Sequence, residues 1–410
     1  MGGGAAGGAS SAGATERASA ATATRASAQE RERLNRTFAE LCAIRSVFGE
    51  ERAIADHVSA ELRALGLEVE EDDSAQASGA AAGNLLVRMP GPAQVGGGRS
   101  AERSVLLCAH LDTVPHEGVV EPVLEDDAWV SAGDTILGAD NKAAVAVLLE
   151  LARRHASDPA PVAIELLLTT SEENALAGAK AFDVGRLRSD FGYVFDHASP
   201  IGEVVVASPT YYRIEARFHG RPAHAGIRPE DGRSAIMAAA RAIAAMPHGR
   251  IDAETTANVG AVNGGTQGTN VVAEHCTVLA EARSLDPAKA DAVVARLVDA
   301  VHDGANEPAC SCDVDVSVAR LFEGYRHPST APAVLAAEEA LRRCGHAPTR
   351  IATGGGTDGN AFEAQGFSCT NLANGTEHNH EAVERVSVAA LEGMLDVTLT
   401  LLDVLAGDHA

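Results

Sequence analysis

From residue 31 onward the chain alternates between stretches with apolar residues at helical spacing and short runs that are apolar throughout. Residues 34–47 and 51–65 follow the helical period, and Gly66 supplies a stop after the second. Residues 88–103 hold Pro90, Gly91, Pro92, Gly96, Gly97 and Gly98 and read as a loop. Uniformly apolar runs then occupy 105–109, 162–170 and 193–195, with helical stretches such as 143–155 between them. Runs of this kind, bounded by polar residues, predict buried strands and therefore an α/β fold.

Between 209 and 318 the pattern changes. Tyr212, Ile214, Ala216 and Phe218 alternate with Tyr211, Arg213, Glu215 and Arg217, which is the signature of a half-exposed strand. A helix is predicted over 233–246, strands near 257–262 and 271–283, and a second helix over 287–303. The last strand carries Val314, Val316 and Val318 on one face. The order βαββαβ is the ferredoxin-like unit. Afterwards the α/β pattern resumes, with a helix near 331–344, a strand near 369–372 and a final helix from about 387. The expected organisation is a main domain in two parts, 31–208 and 319–410, with a smaller domain, 209–318, inserted between them. Residues 1–30 read as a disordered low-complexity tail, since 24 of the first 29 are Gly, Ala, Ser or Thr. That stretch has neither the basic start nor the compact apolar centre of a signal peptide.

Charge narrows the possible partners. There are 33 Lys and Arg against 57 Asp and Glu, a formal net charge of −24. This balance excludes non-specific nucleic-acid binding and attraction to an anionic membrane, both of which use basic patches. No apolar run approaches the ~20 residues of a membrane span. The seven cysteines are odd in number and none forms a CxxC pair, so reduced thiols and a cytoplasmic location are expected.

The candidate chemistry lies where the predicted strands stop. His110 and Asp112 follow the run 105–109, Glu172 and Glu173 follow 162–170, and Asp196 follows 193–195. Asp140 opens a helix, and His380 comes shortly after the strand near 369–372. Ligands of open α/β sheets bind at the carboxyl ends of strands, so these groups are expected to converge. Singly, each has a plainer explanation: a turn for His110 and Asp112, a helix-start acid for Asp140. Other glutamate pairs, Glu50 with Glu51, Glu70 with Glu71 and Glu338 with Glu339, are expected in solvent. Only Glu172 and Glu173 end a strongly apolar strand, where a charged pair needs a partner.

Histidine nitrogens with carboxylate oxygens suit zinc, and a set of this size suits two ions sharing a carboxylate. Asp140, Glu173 and Asp196 would bring −3 against +4, and a bridging hydroxide would complete neutrality and act as nucleophile. Glu172 would take its proton and pass it to the leaving amine. Asp112 would orient the His110 imidazole.

The stretches AHLDTVP (109–115), LGADNKAAVAVLLE (137–150), TTSEENALAGAK (169–180), FHGRPAHAG (218–226), GGTQGTNVV (264–272) and GGGTDGNAF (354–362) stand in the chain in that order. Together they resemble the peptidase T branch of the dinuclear zinc hydrolases. That clan also holds acetylornithine deacetylase, succinyl-diaminopimelate desuccinylase, aminoacylases and bacterial carboxypeptidases. The resemblance covers the chain after residue 30. It implies a catalytic domain with a central mixed sheet and an inserted lid and dimerisation domain. It further implies that His110 and Asp196 hold one Zn²⁺, Glu173 and His380 the other, and Asp140 both, with Co or Mn able to substitute. Glu172 is implied as general base, with Asp112 beside it. The family places its last ligand histidine four residues before a Glu, which selects His380, four before Glu384, over His378. Here His380 is followed by Glu where the family usually has Thr. On the lid, His224 is implied to polarise the oxyanion, in the partner subunit's site of a homodimer, while Asn270 and Arg283 grip the substrate.

The leading expectation is an aminopeptidase of short peptides, of tripeptide type, because GADNK is closer to peptidase T than to the deacylases. A second is an N-acyl-amino-acid deacylase or carboxypeptidase, with Arg283 on the product carboxylate. A third, from another class, is a metal-free binding homologue, against which the filled ligand positions count.

Overall fold

The computed structural model describes residues 23–92, 104–198 and 200–407; the expected tail lies outside them as far as residue 22. Residues 23–30 are not tail but part of the folded body. Ser27 caps the helix Ala28–Ala43 and Glu30 completes the capping box. The Ala26 amide donates to Asp396 at 2.8 Å, and Arg25 and Arg31 pair with the same carboxylate at 2.9 and 2.7 Å. Composition concealed this because the partner is some 370 residues away. The first helix accordingly starts and ends earlier than its apolar spacing suggested.

The main sheet is mixed. Strands Ser104–His110, Ala163–Thr169, Phe191–His197 and Cys369–Ala373 run parallel, with Leu85–Met89 antiparallel on one flank and Glu203–Ser208 antiparallel on the other. Both faces are buried. Val105, Leu107 and Ala109 join one core with Ile164, Leu166, Leu168, Tyr193 and Phe195, packed beneath the helices Ala139–Ser157 and Val388–Gly407. Leu106, Cys108, Leu167 and Val194 face a second core with Phe182 and Phe362. Since strand side chains alternate, His110, Thr169 and Asp196 continue this second face at the ends of the same three strands.

The inserted unit is the βαββαβ fold: strands Thr210–His219, Thr255–Gly264, His275–Ser284 and Asp313–Phe322, with helices Ala235–Ala245 and Pro287–Asn306 against one side. Its strands are antiparallel, and Thr210–His219 lies between His275–Ser284 and Asp313–Phe322. Ile214, Ala216 and Phe218 point into its core, as their alternation predicts. A third, four-stranded sheet joins Pro122–Glu125 and Ala128–Ser131 to Thr376–Glu377 and Arg385–Ser387. It holds the two arms of the loop that bears His380.

Asp396→Ala is expected to destabilise the protein by about 2 kcal/mol, because the Ala26 amide and two guanidinium groups lose one buried acceptor. Denaturant unfolding checks this; an unchanged midpoint would show that residues 23–31 add nothing to the body.

Candidate active site

Three strand ends and two loops bring the predicted groups together. After strand Ala163–Thr169 the chain turns sharply at Ser171, whose φ of 53° is left-handed. The turn is held by the Ser171 hydroxyl donating to Glu51 at 2.8 Å and by the Thr170 amide donating to Asn84 at 3.1 Å. It directs Glu172 and Glu173 inwards. Their amides donate at 3.0 Å to the two oxygens of Asp112, so one buried carboxylate aligns both glutamates. Glu51 is itself fully buried, contrary to its expected place in solvent, because it supports this turn.

His110 is buried, with Nδ1 3.0 Å from the Asp112 carbonyl oxygen and 3.6 Å from its carboxylate. Nε2 therefore faces the crevice, 3.4 Å from Asp140 and 3.6 Å from Asp196. The other Asp140 oxygen lies 3.2 Å from His380 Nε2, which is 2.8 Å from Glu173. Asp140 thus stands between two groups, His110 with Asp196 and His380 with Glu173. His378 turns towards Glu381 at 3.9 Å. Glu384, used above only as a spacing mark, accepts from the amides of Leu137, Gly138 and Asp140 at 2.7–2.9 Å. It ties the His380 loop to the segment that presents Asp140.

The electrostatics are those of an uncompensated acidic crevice. Burial pushes Glu172 well above the usual carboxylate range, with Asp196 adding to it. Burial and Asp140 do the same to Asp196, and burial raises Glu173 against the pull of His380. At Asp140 burial opposes ionisation, but His110 and His380 outweigh it and hold the carboxyl low. Hydrogen bonds to Asp140 and Glu173 raise His380 to about 10. His110 Nε2 and Asp140 Oδ1 are shielded from solvent without a hydrogen-bond partner. His110 forms one group with Glu172 and Asp196 and another with Asp140 and Glu173, the ligand atoms of each within 4.8 Å of one another, and these nitrogen and oxygen atoms fit a pair of divalent cations.

The lid residues sit apart from this cluster. His224 bridges Val271 on the exposed lid surface, its Nδ1 accepting from the Gly226 amide at 3.2 Å, and the Asn270 carbonyl accepts from Ala225 at 2.9 Å. Among the described residues neither is hydrogen-bonded or ion-paired to the cluster. Arg283 is already engaged: it donates to the Gly354 carbonyl at 2.9 Å, pairs with Glu281 at 3.2 Å and lies 3.9 Å over the Tyr211 ring. One acid escaped the sequence reading. Asp358, in the glycine-rich GGGTDGN segment, is fully buried and receives the Thr169 hydroxyl. The three glycines that end two residues before it mark a tight turn but not a buried acid.

Residues 210–307 match the family profile described as the peptidase dimerisation domain, and residues 84–196 match peptidase family M28. Among curated proteins, YqjE of Bacillus subtilis is 34% identical over 378 residues, covering 90% of this chain and 98% of that protein. Among solved structures, aminopeptidase PepT of Bacillus cereus is 37% identical with a TM-score of 0.81, covering 92% of this chain and 99% of that one. A tripeptidase of Staphylococcus aureus is 34% identical with a TM-score of 0.85, covering 92% and 98%. Fold, site and likeness define a peptidase with a two-part catalytic domain and a dimerisation domain. The chain belongs to the peptidase T-like branch of the M20 peptidase family.

Asp112→Asn is expected to weaken divalent-metal affinity by about 10–100-fold, since an amide NH₂ would face one of the two glutamate N–H groups. Competition against a chromophoric chelator measures it; parental affinity would mean that Asp112 does not set the site.

Proposed function

We propose that this peptidase is a dinuclear zinc aminopeptidase that removes the first residue from unblocked tripeptides. The observation that carries the proposal is Asp140, whose two oxygens face His110 on one side and His380 on the other. His110 and Asp196 would hold one ion, Glu173 and His380 the other, and Asp140 would touch both. Imidazole with carboxylate favours zinc, and Co or Mn would satisfy the same donors. Bound there, the ions would polarise the scissile carbonyl and lower the pKa of a water. Choice of the tripeptide rests on the two neighbours described as an aminopeptidase and a tripeptidase, each covered almost completely.

The protein's own groups then have distinct tasks. Glu172, buried beside Asp196 and raised in proton affinity, accepts the proton of the attacking water and returns it to the departing amine. Asp112 keeps the His110 ring turned so that Nε2 faces the crevice. His224 would serve the oxyanion and Asn270 the substrate backbone. Their exposed places on the lid favour action in the site of a second copy. Strand Thr255–Gly264 supports that assembly, because its pairing with Gly249–Arg250 covers only Thr256 and Ala257 of its outer edge, and Val262 beyond is exposed, as are Ile236 and Met237 of the adjacent helix. Arg283 would reach a substrate carboxylate by exchanging its Gly354 partner. No described helix is long and apolar enough to cross a membrane. All seven cysteines are free thiols, six of them buried, which supports the cytoplasm as the location.

A panel of free and N-acetylated di- and tripeptides with the zinc-loaded protein tests the substrate. Free tripeptides are expected to be cleaved fastest, and cleavage of the acetylated forms alone would replace this function with deacylation. Glu172→Gln should retain zinc and lose about 10²–10⁴ in kcat. Unaltered kcat would remove Glu172 from its role.

A further inference from the structure

Asp358 lies outside the set assigned to the ions, yet it is 1% exposed and stands against the same face of the sheet. It opens the short helix Asp358–Ala364, which covers the second core, the one lined by Leu106, Cys108, Leu167 and Val194. By strand alternation this face also carries Thr169, the register partner of His110 in the adjacent parallel strand. The Thr169 hydroxyl reaches two acceptors, the Asp358 carboxyl and the Ala109 carbonyl at 3.4 Å. Ala109 precedes His110. The hydroxyl has one hydrogen, which it donates to Asp358, and the Ala109 carbonyl is its longer second contact, so the carboxyl holds the hydroxyl against the peptide before His110. Asp358 Oδ1 has no partner, so the pocket offers little to an ionised group.

We propose that Asp358 is a positioning residue for the site: through the Thr169 hydroxyl it fixes the peptide before His110, and it acts by hydrogen bonding and not by its charge. Burial raises its carboxyl to about 6, Asp112 and Glu173 push the same way, and the Thr169 hydrogen bond and His110 oppose. The other neighbours, Glu172, Cys108 and Cys369, are also displaced towards their neutral forms by burial. The seven-residue helix that begins at Asp358 favours the charged form only weakly.

The proposal rests on His110 as a metal ligand, and zinc affinity across variants tests it. Asp358→Ala and Thr169→Val are each expected to bind zinc about 10-fold or more weakly than the parent, the loss typical of a missing support to a ligand. Asp358→Asn, whose amide oxygen accepts from Thr169 without charge, should stay within about threefold of the parent, in zinc affinity and in kcat/KM. Thermal unfolding of the metal-free variants checks that each is folded; should Asp358→Ala fail, Thr169→Val and Asp358→Asn decide between them. An Asp358→Asn variant as weak as Thr169→Val overturns the proposal, as does parental affinity in Thr169→Val. A parent that binds no zinc would instead overturn the dinuclear function, so the two failures are distinguishable.

Discussion

Burying several carboxylates around one crevice is costly unless each finds a donor or a cation, and the site is organised by how that requirement is met. Asp112 and Glu384 receive backbone amides, two and three of them, and so serve as architecture. Asp140, Glu173 and Asp196 face histidine nitrogens instead. The division is made by the donors within reach, since the groups are chemically alike. What the amides leave unsatisfied is where positive charge belongs.

The same donors give the site its rigidity. Glu384 links the loop that bears His380 to the amides before Asp140, and Asp112 links the end of one strand to the turn after its neighbour. The segment 354–360 extends this network: Gly354 receives Arg283 of the lid, Gly355 receives Ser208 of the main sheet, and Asn360 donates to the Glu323 carbonyl at 2.8 Å. A Cβ at Gly356 would stand 2.4 Å from the Phe322 ring, so the glycine lets the lid's last strand seat against this loop. Position of the lid and support of the crevice therefore meet in one short stretch of chain.

Much of this was legible in the sequence because it is local. The two-residue period gave the core face of strand Thr210–His219, and the polar residues that stop apolar runs marked His110, Glu172 and Asp196. Motif order gave the family. Burial of Glu51 and the anchoring of Arg25 were not legible, since each depends on partners far along the chain: Ala81 and Ser171 for one, Asp396 for the other. Asp358 was hidden for the same reason. Its partner Thr169 is 189 residues earlier, and nothing near it in sequence indicates a buried acid.

By itself the sequence determined which residue types stand at strand ends, the βαββαβ order of the inserted unit and a strongly acidic charge balance. Tertiary structure decided which carboxylates are satisfied by amides and which are left to a cation, that Asp140 lies between two histidines, and that His380 turns inwards while His378 does not. Periodicity is a property of neighbours along the chain, whereas hydrogen-bond satisfaction depends on donors brought from distant segments, and folding alone brings those donors to the acids.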